Sequence, residues 1–167
     1  MNFNEISFRE AIEHILDLQG NDTLKSRIFG SLELEVLACD EENRIWSEFI
    51  YRKKEQHLNP YNGIHGGIAC TIADSCMGST LCALTQNLPS TTDMSVSYLE
   101  PMTADEFVIR VDIKKTGKRL AACTCEIKEK DTDKLCVSVM GKFILVKKDI
   151  LADEESSMLL KEQNGQD

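Results

Sequence analysis

The stretch from Asn59 to Asn87, NPYNGIHGGIACTIADSCMGSTLCALTQN, holds the residues whose types and spacing could do chemistry. Asp74 is the only charged side chain between His65 and Gln86, and its neighbours at helical spacing are Cys70, Thr71, Met77 and Gly78. A carboxylate in such company is costly to bury unless it has a partner or a chemical task. His65-Gly66-Gly67 stands at the start of the same run. Two glycines let another group approach the backbone closely, and the free N–H groups at the positive end of a helix favour negative charge, including an oxygen that gains charge in a transition state. The two features are nine residues apart. At ~100° and ~1.5 Å per residue they fall on nearly opposite sides of a helix, roughly 13 Å apart along its axis. They cannot easily serve one small site within one chain, but a symmetric dimer can bring one subunit's helix start to the other's carboxylate.

The element that must position them is one long helix from Gly66 to Leu84, small or apolar at almost every position and so expected inside the protein. Thr, Ser, Asp and Gly interrupt it too often for a membrane span. Ahead of it, Ser7 to Leu18 has the period of an amphipathic helix, opened by a Ser7/Glu10 capping box and ended by Gly20. Ser31 to Cys39 alternates as a half-buried strand, Asp40 to Asn43 turns, and Ile45 to Arg52 gives a second strand. After Pro89 the pattern is strand upon strand: Thr92–Leu99, Phe107–Lys114, Leu120–Lys128 and Leu135–Val146, with turns at Lys115–Lys118 and Asp131–Lys134. An α+β architecture follows, a curved antiparallel sheet wrapped around the central helix. The expected division is 1–28 as helix and lead-in, 29–148 as the sheet-and-helix domain, and 149–167 as an acidic tail with few apolar anchors, either a short helix or frayed. A single curved sheet leaves an open edge, for which pairing with a second copy is the usual remedy.

Bulk properties narrow the function. A net charge of −9 over 167 residues argues against nucleic acid as the main partner. Acidic residues near Met1 stand where a signal peptide would be basic. Seven cysteines, mostly in apolar runs and without a CxxC pair, read as reduced core thiols of a cytoplasmic protein, with neither a disulfide framework nor a metal site.

The pattern N-x5-H-G-G-x6-D, followed by the strand TTDMSVSYLEP, resembles the hot-dog thioesterases of the PaaI-like and THEM2-like group, over about Phe29 to Lys147. That resemblance implies the hot-dog fold and hydrolysis of acyl-CoA to a free acid and coenzyme A, with no further cofactor. It makes Asp74 the carboxylate that activates water or attacks the thioester carbonyl. The Gly66 N–H, helped by the Asn59 side chain, becomes the oxyanion site, and His65 orients the thioester or interacts near its sulfur. Thr91 helps to hold the attacking water, and Gly67 lies against the substrate. The partners implied are acyl-CoA and a second copy, in a homodimer with shared active sites or a tetramer of two such dimers. Coenzyme A is a polyanion, and Lys115, Lys118 and Arg119, with Lys114, cluster at the Gly117 turn where its phosphates could dock; Arg52, Lys53 and Lys54 form a second basic run. Two other activities suit such a pocket: acyl-thioester hydration or dehydration, and acyl-CoA sensing without turnover. The HGG-to-Asp74 spacing fits hydrolysis better than the first, and the acidic N-terminal helix is a poor DNA-binding element for the second.

Overall fold

In the computed structural model, which describes residues 6–22 and 25–147, a long helix lies in the concave face of a curved antiparallel sheet. Helix α1 spans Phe8–Leu16 and is closed at its start by the Ser7/Glu10 capping box; a 3-10 turn, Asp17–Gly20, follows it. Helix α2 is short, Ile28–Leu32. Helix α3, Gly66–Thr85, is the central element. The strands are β1 Glu35–Cys39, β2 Trp46–Arg52, β3 Leu88–Tyr98, β4 Glu106–Thr116, β5 Leu120–Glu129 and β6 Leu135–Val146. Their order across the sheet is β1-β2-β4-β5-β6-β3, so β1 and β3 form its edges.

Alternation along the strands builds the core. Phe107, Ile109 and Val111 of β4, Cys123, Cys125 and Ile127 of β5, and Val137, Val139 and Phe143 of β6 turn inward against Ile72, Ala73, Cys76, Met77 and Leu81 of α3. Fully burying a side chain of this size stabilises by roughly 1.5–3 kcal/mol before entropy is charged. Gly141 permits the close approach of helix and sheet, because a Cβ there would stand 2.9 Å from the Met77 methyl. The polar contact between α3 and β2 in the core is satisfied: the Thr80 hydroxyl donates to the Cys76 carbonyl at 2.7 Å and is 2.6 Å from the Ser47 hydroxyl.

Two expectations need correction. The segment from Ser31 does not begin a strand: residues 28–32 turn as α2, and Glu33, at φ 50° and ψ 50°, ends it in the left-handed conformation before β1 starts at Glu35. Leu32 and Leu34 are both buried, which produced the alternating signal without a continuous strand. The central helix is also not enclosed all round. Although long and apolar enough in composition to cross a membrane, half of its most apolar window is buried within the fold. Its face through Gly67, Thr71, Asp74, Ser75, Gly78 and Cys82 is only partly covered, so Asp74 is half-buried rather than buried. The two turn regions also shift slightly, since Lys115 belongs to β4. The acidic segment expected at 149–167 lies outside the described residues.

The sheet's two edges differ. On β1 the Arg9 guanidinium donates to the carbonyls of Val36 and Leu37, at 3.3 and 2.8 Å, and Gln19 exchanges two hydrogen bonds with the Leu34 backbone just ahead of the strand. Strand β3 pairs only with β6 among the described residues, leaving its other side open along eleven residues.

Candidate active site

The helix start is set by the loop that feeds it. Asn59 Oδ1 accepts from the backbone N–H groups of Tyr61 and Gly63 at 2.9 and 3.2 Å, a local turn for which asparagine is suited. The loop's base is tied by the Leu58–Ile64 bridge and by Ile64 N–H donating to the Met102 carbonyl at 2.9 Å. With its carboxamide oxygen committed to the loop, Asn59 keeps its NH2 group as the free end. Asn59 and Gly66 line one cleft of about 330 Å³, together with Tyr98, Leu99 and Met102.

His65 is the N-cap of α3: its Nδ1 accepts from Gly67 N–H at 3.0 Å. In a neutral ring that leaves the proton on Nε2, pointing away from the helix as a donor. The same contact explains Gly67, where a Cβ would come within 3.2 Å of the imidazole. Gly67 N–H is therefore occupied by the cap, whereas Gly66 N–H has no acceptor among the described residues. Gly66 is glycine for a different reason. The Tyr98 ring would lie 3.3 Å from its Cβ, and the Tyr98 hydroxyl donates to the Gly66 carbonyl at 2.8 Å. Burial, with a smaller push from Cys70, raises the Tyr98 pKa, which keeps the phenol protonated as that donor.

Asp74 lies two and a half turns along α3 and meets a different strand. Thr91 Oγ1 donates to its Oδ1 at 2.7 Å, from a β3 position just before a bulge between Thr91 and Asp93. Bulges re-aim side chains at sheet edges. The pair borders a second cleft, of about 390 Å³, which also exposes Gly78 and Ser75. Cys70 is no rival nucleophile, because burial and the nearby Asp74 carboxylate both push its thiol pKa up. Among the described residues the two clefts share no lining residue. Asn59 and Gly66 are thus together on one side of the helix, Asp74 and Thr91 together on another.

The two basic runs part company. Arg52 is engaged by Glu35 and Glu106, Lys53 by Asp105 and Lys54 by Glu33, at 2.6 to 3.1 Å. Lys115, Lys118 and Arg119 have no carboxylate partner among the described residues and line one depression of about 430 Å³ with Lys142. Leu120, Ile144 and Ser90 stand side by side across β5, β6 and β3. With strands about 4.8 Å apart, the basic turn is roughly 10 Å from the residue preceding Thr91. No group of three His, Cys, Asp or Glu side chains suited to a metal occurs among the described residues.

Tyr98, Lys142 and the buried His57 escaped the sequence reading. His57 Nδ1 is 2.7 Å from the Tyr51 hydroxyl, its Nε2 is 3.2 Å from Ser31 Oγ, and its carbonyl accepts from His65 N–H at 2.9 Å. A histidine two residues before Asn59 was the only signal available, and nothing local tells a core histidine from a ligand.

Comparison with known proteins bears on the fold and the family. Residues 61–136 match the model of the thioesterase superfamily. A mouse protein named acyl-coenzyme A thioesterase 13 is 28% identical over 132 residues, 77% of this chain and 87% of the relative. The crystal structure of zebrafish thioesterase superfamily member 2 superposes with a TM-score of 0.70 at 20% identity, over 82% of this chain and 97% of its own. The crystal structure of a Streptococcus pneumoniae protein described as a hypothetical thioesterase, with coenzyme A, gives 0.62 at 16% identity, over 68% and 86%. The helix cradled in its antiparallel sheet is the hot-dog arrangement of those solved structures, and residues 61–136 are similar to the thioesterase superfamily.

Proposed function

We propose that this protein hydrolyses acyl-CoA thioesters to the free acid and coenzyme A, with Asp74 as the base that activates water and the Gly66 N–H as the oxyanion donor. The observation that carries the reading is the 2.7 Å Thr91–Asp74 hydrogen bond at an open cleft, on a helix whose start presents an unpaired N–H. Thr91 occupies Oδ1 and so fixes the carboxylate, leaving Oδ2 to accept a proton from water and the threonine lone pairs to hold that water. Water oxygen bonds to the thioester carbon as its proton passes to Asp74. The C–S bond then breaks, and the departing thiolate takes up the proton that Asp74 received, which restores the carboxylate. Charge gathering on the carbonyl oxygen falls to Gly66 N–H and the Asn59 NH2, where each such donor is worth about 10² to 10³ in rate. His65 Nε2–H, held by the Nδ1 cap, is a donor for the thioester itself. No metal or other cofactor enters the step.

The two half-sites belong to different subunits in this reading. The open β3 edge, beside a β1 edge closed by the chain's own side chains, supports a homodimer joined through β3, and a dimer of dimers builds on it. The cations at Lys115, Lys118 and Arg119, without a carboxylate partner among the described residues, receive the phosphates of coenzyme A. Free thiols at all seven cysteines support a cytoplasmic setting. A panel of acyl-CoAs incubated with a thiol reagent tests the activity. Release of free coenzyme A is expected; altered acyl chains would mean hydration, and binding without turnover would mean sensing.

A further inference from the structure

The cleft beside Asp74 has walls that the proposed hydrolysis does not by itself explain. Ile15 of α1, Phe29 of α2, Leu88 of β3 and Phe143 of β6 face it, and Asp74 is the only charged residue in its lining. A nucleotide polyphosphate would meet a carboxylate there and no cation. The cations line the separate depression at the Gly117 turn. An apolar group is the occupant that these walls fit.

Gly78 adds an independent sign. It stands one turn beyond Asp74, inside a helix, where glycine costs about 1 kcal/mol relative to alanine. Beyond its own helix, nothing among the described residues lies within 4 Å of where its Cβ would be, and its φ is not in the left-handed range, so neither packing within the described fold nor backbone geometry calls for it. Its missing side chain leaves open space in the lining of the Asp74 cleft. Ile15 and Phe29, for their part, lie outside residues 61–136, which carry the match to the superfamily model. That wall is supplied by the two N-terminal helices, which pack the partly covered side of the fold ahead of the shared segment.

We infer that this cleft receives the acyl group as an uncharged hydrocarbon chain, and that Gly78 and Phe29 set the length it accepts. The inference rests on the thioesterase reading of the same site. The thioester would sit with its carbonyl at the Asp74–Thr91 pair, its acyl end between α1, α2 and the end of α3, and its nucleotide outside. Gly78→Leu fills the floor and Phe29→Ala widens the wall, so the two substitutions act in opposite directions.

The test is the binding of thioether analogues of acyl-CoA, which cannot be hydrolysed, in a straight-chain series from acetyl to palmitoyl, with the oligomeric state of every variant measured alongside. Gly78→Leu should weaken the longest analogues about 10-fold or more relative to acetyl, in line with one to three kcal/mol for a displaced group in an apolar pocket. Phe29→Ala should shift the optimum toward longer chains. Equal changes at every length, or a Gly78→Leu protein that has lost its assembly, would overturn the inference. Because the analogues report binding alone, an absence of hydrolysis in the parent would count against the thioesterase reading and leave the chain-length result standing on its own.

Discussion

The two ends of the proposed site are built to different specifications. At the start of α3 almost every polar group is tied down: Asn59 Oδ1 by two N–H donors, His65 by Gly67, the Gly66 carbonyl by Tyr98, and the His65 N–H by the His57 carbonyl. At Asp74, among the described residues, a single side-chain hydrogen bond, from an edge strand, holds the carboxylate beside a cleft. The first arrangement suits fixed dipoles, which stabilise developing charge only if they do not have to reorganise. The second suits a group that must meet water and exchange a proton. In the proposed mechanism neither half is complete alone, and the helix holds them on different faces.

The largest effect should come from the loosely held half. Asp74→Asn keeps the shape and loses the base, so thioester hydrolysis should fall by at least ~10²-fold with fold and assembly unchanged. Turnover like the parent's would remove Asp74 from the chemistry. In the rigid half, Asn59→Ala deletes both the loop's acceptor and a proposed oxyanion donor. A fall in kcat of about 10²-fold is expected, together with a lower Tm from the freed Tyr61 and Gly63 N–H groups. A loss of stability with kcat intact would make Asn59 a loop residue only. A smaller change should follow charge reversal at Lys118 and Arg119. KM for acyl-CoA should rise several-fold at low salt, while a short thioester lacking the nucleotide is affected less. Equal effects on both substrates would reduce the cluster to a solvated surface.

The smallest effect concerns His57, beneath the rigid half. Ser31 donates to the Ile28 carbonyl at 2.7 Å, so it accepts from His57 Nε2–H, and Nδ1 accepts from the Tyr51 hydroxyl. Burial first, then the positive charge of Lys54, lowers the His57 pKa from 6.5, against a smaller opposing pull from Glu33. The unfolded chain therefore binds the proton more readily than the folded one. The neutral ring's contribution is fully present above the unfolded pKa, diminishes as pH falls through that value, and levels off once the folded histidine also protonates. Thermal melts from pH 8 to 5, referenced to His57→Gln, should show the parent losing more stability on acidification. Parallel curves would contradict the assignment.

Legibility in the sequence followed the range of the interaction. The Ser7/Glu10 capping box, the run of α3 and the limits of β6 depend on neighbours a few residues away, and all were readable. Asp74 stood out because a lone charge in an apolar run is conspicuous, but its bond to Thr91, seventeen residues on, was not legible; Thr91 entered only through family resemblance, as a residue that helps to hold the attacking water. Tyr98 contacts Gly66 across 32 residues, and no local pattern announces that a strand tyrosine will lie over a helix start. The error at Ser31 has the opposite origin. Alternation of Leu32 and Leu34 imitated a strand, while the left-handed turn at Glu33, which carries no glycine to signal it, broke the segment. The basic runs looked alike in sequence and separated only when the carboxylates of Glu33, Glu35, Asp105 and Glu106 were found against one of them.

The central claim, that each site joins the helix start of one subunit to the carboxylate of another, is tested most directly by complementation. Asn59→Ala and Asp74→Asn, each impaired alone, are co-expressed with separate tags and the hybrid dimer is purified. One site in the hybrid then carries both lesions and the other carries neither, so the purified hybrid should recover about half of the parent's activity, and an unsorted random mixture about a quarter. Verified hybrids that stay as inactive as the two impaired homodimers would contradict the account, because the catalytic groups would then have to come together within a single chain.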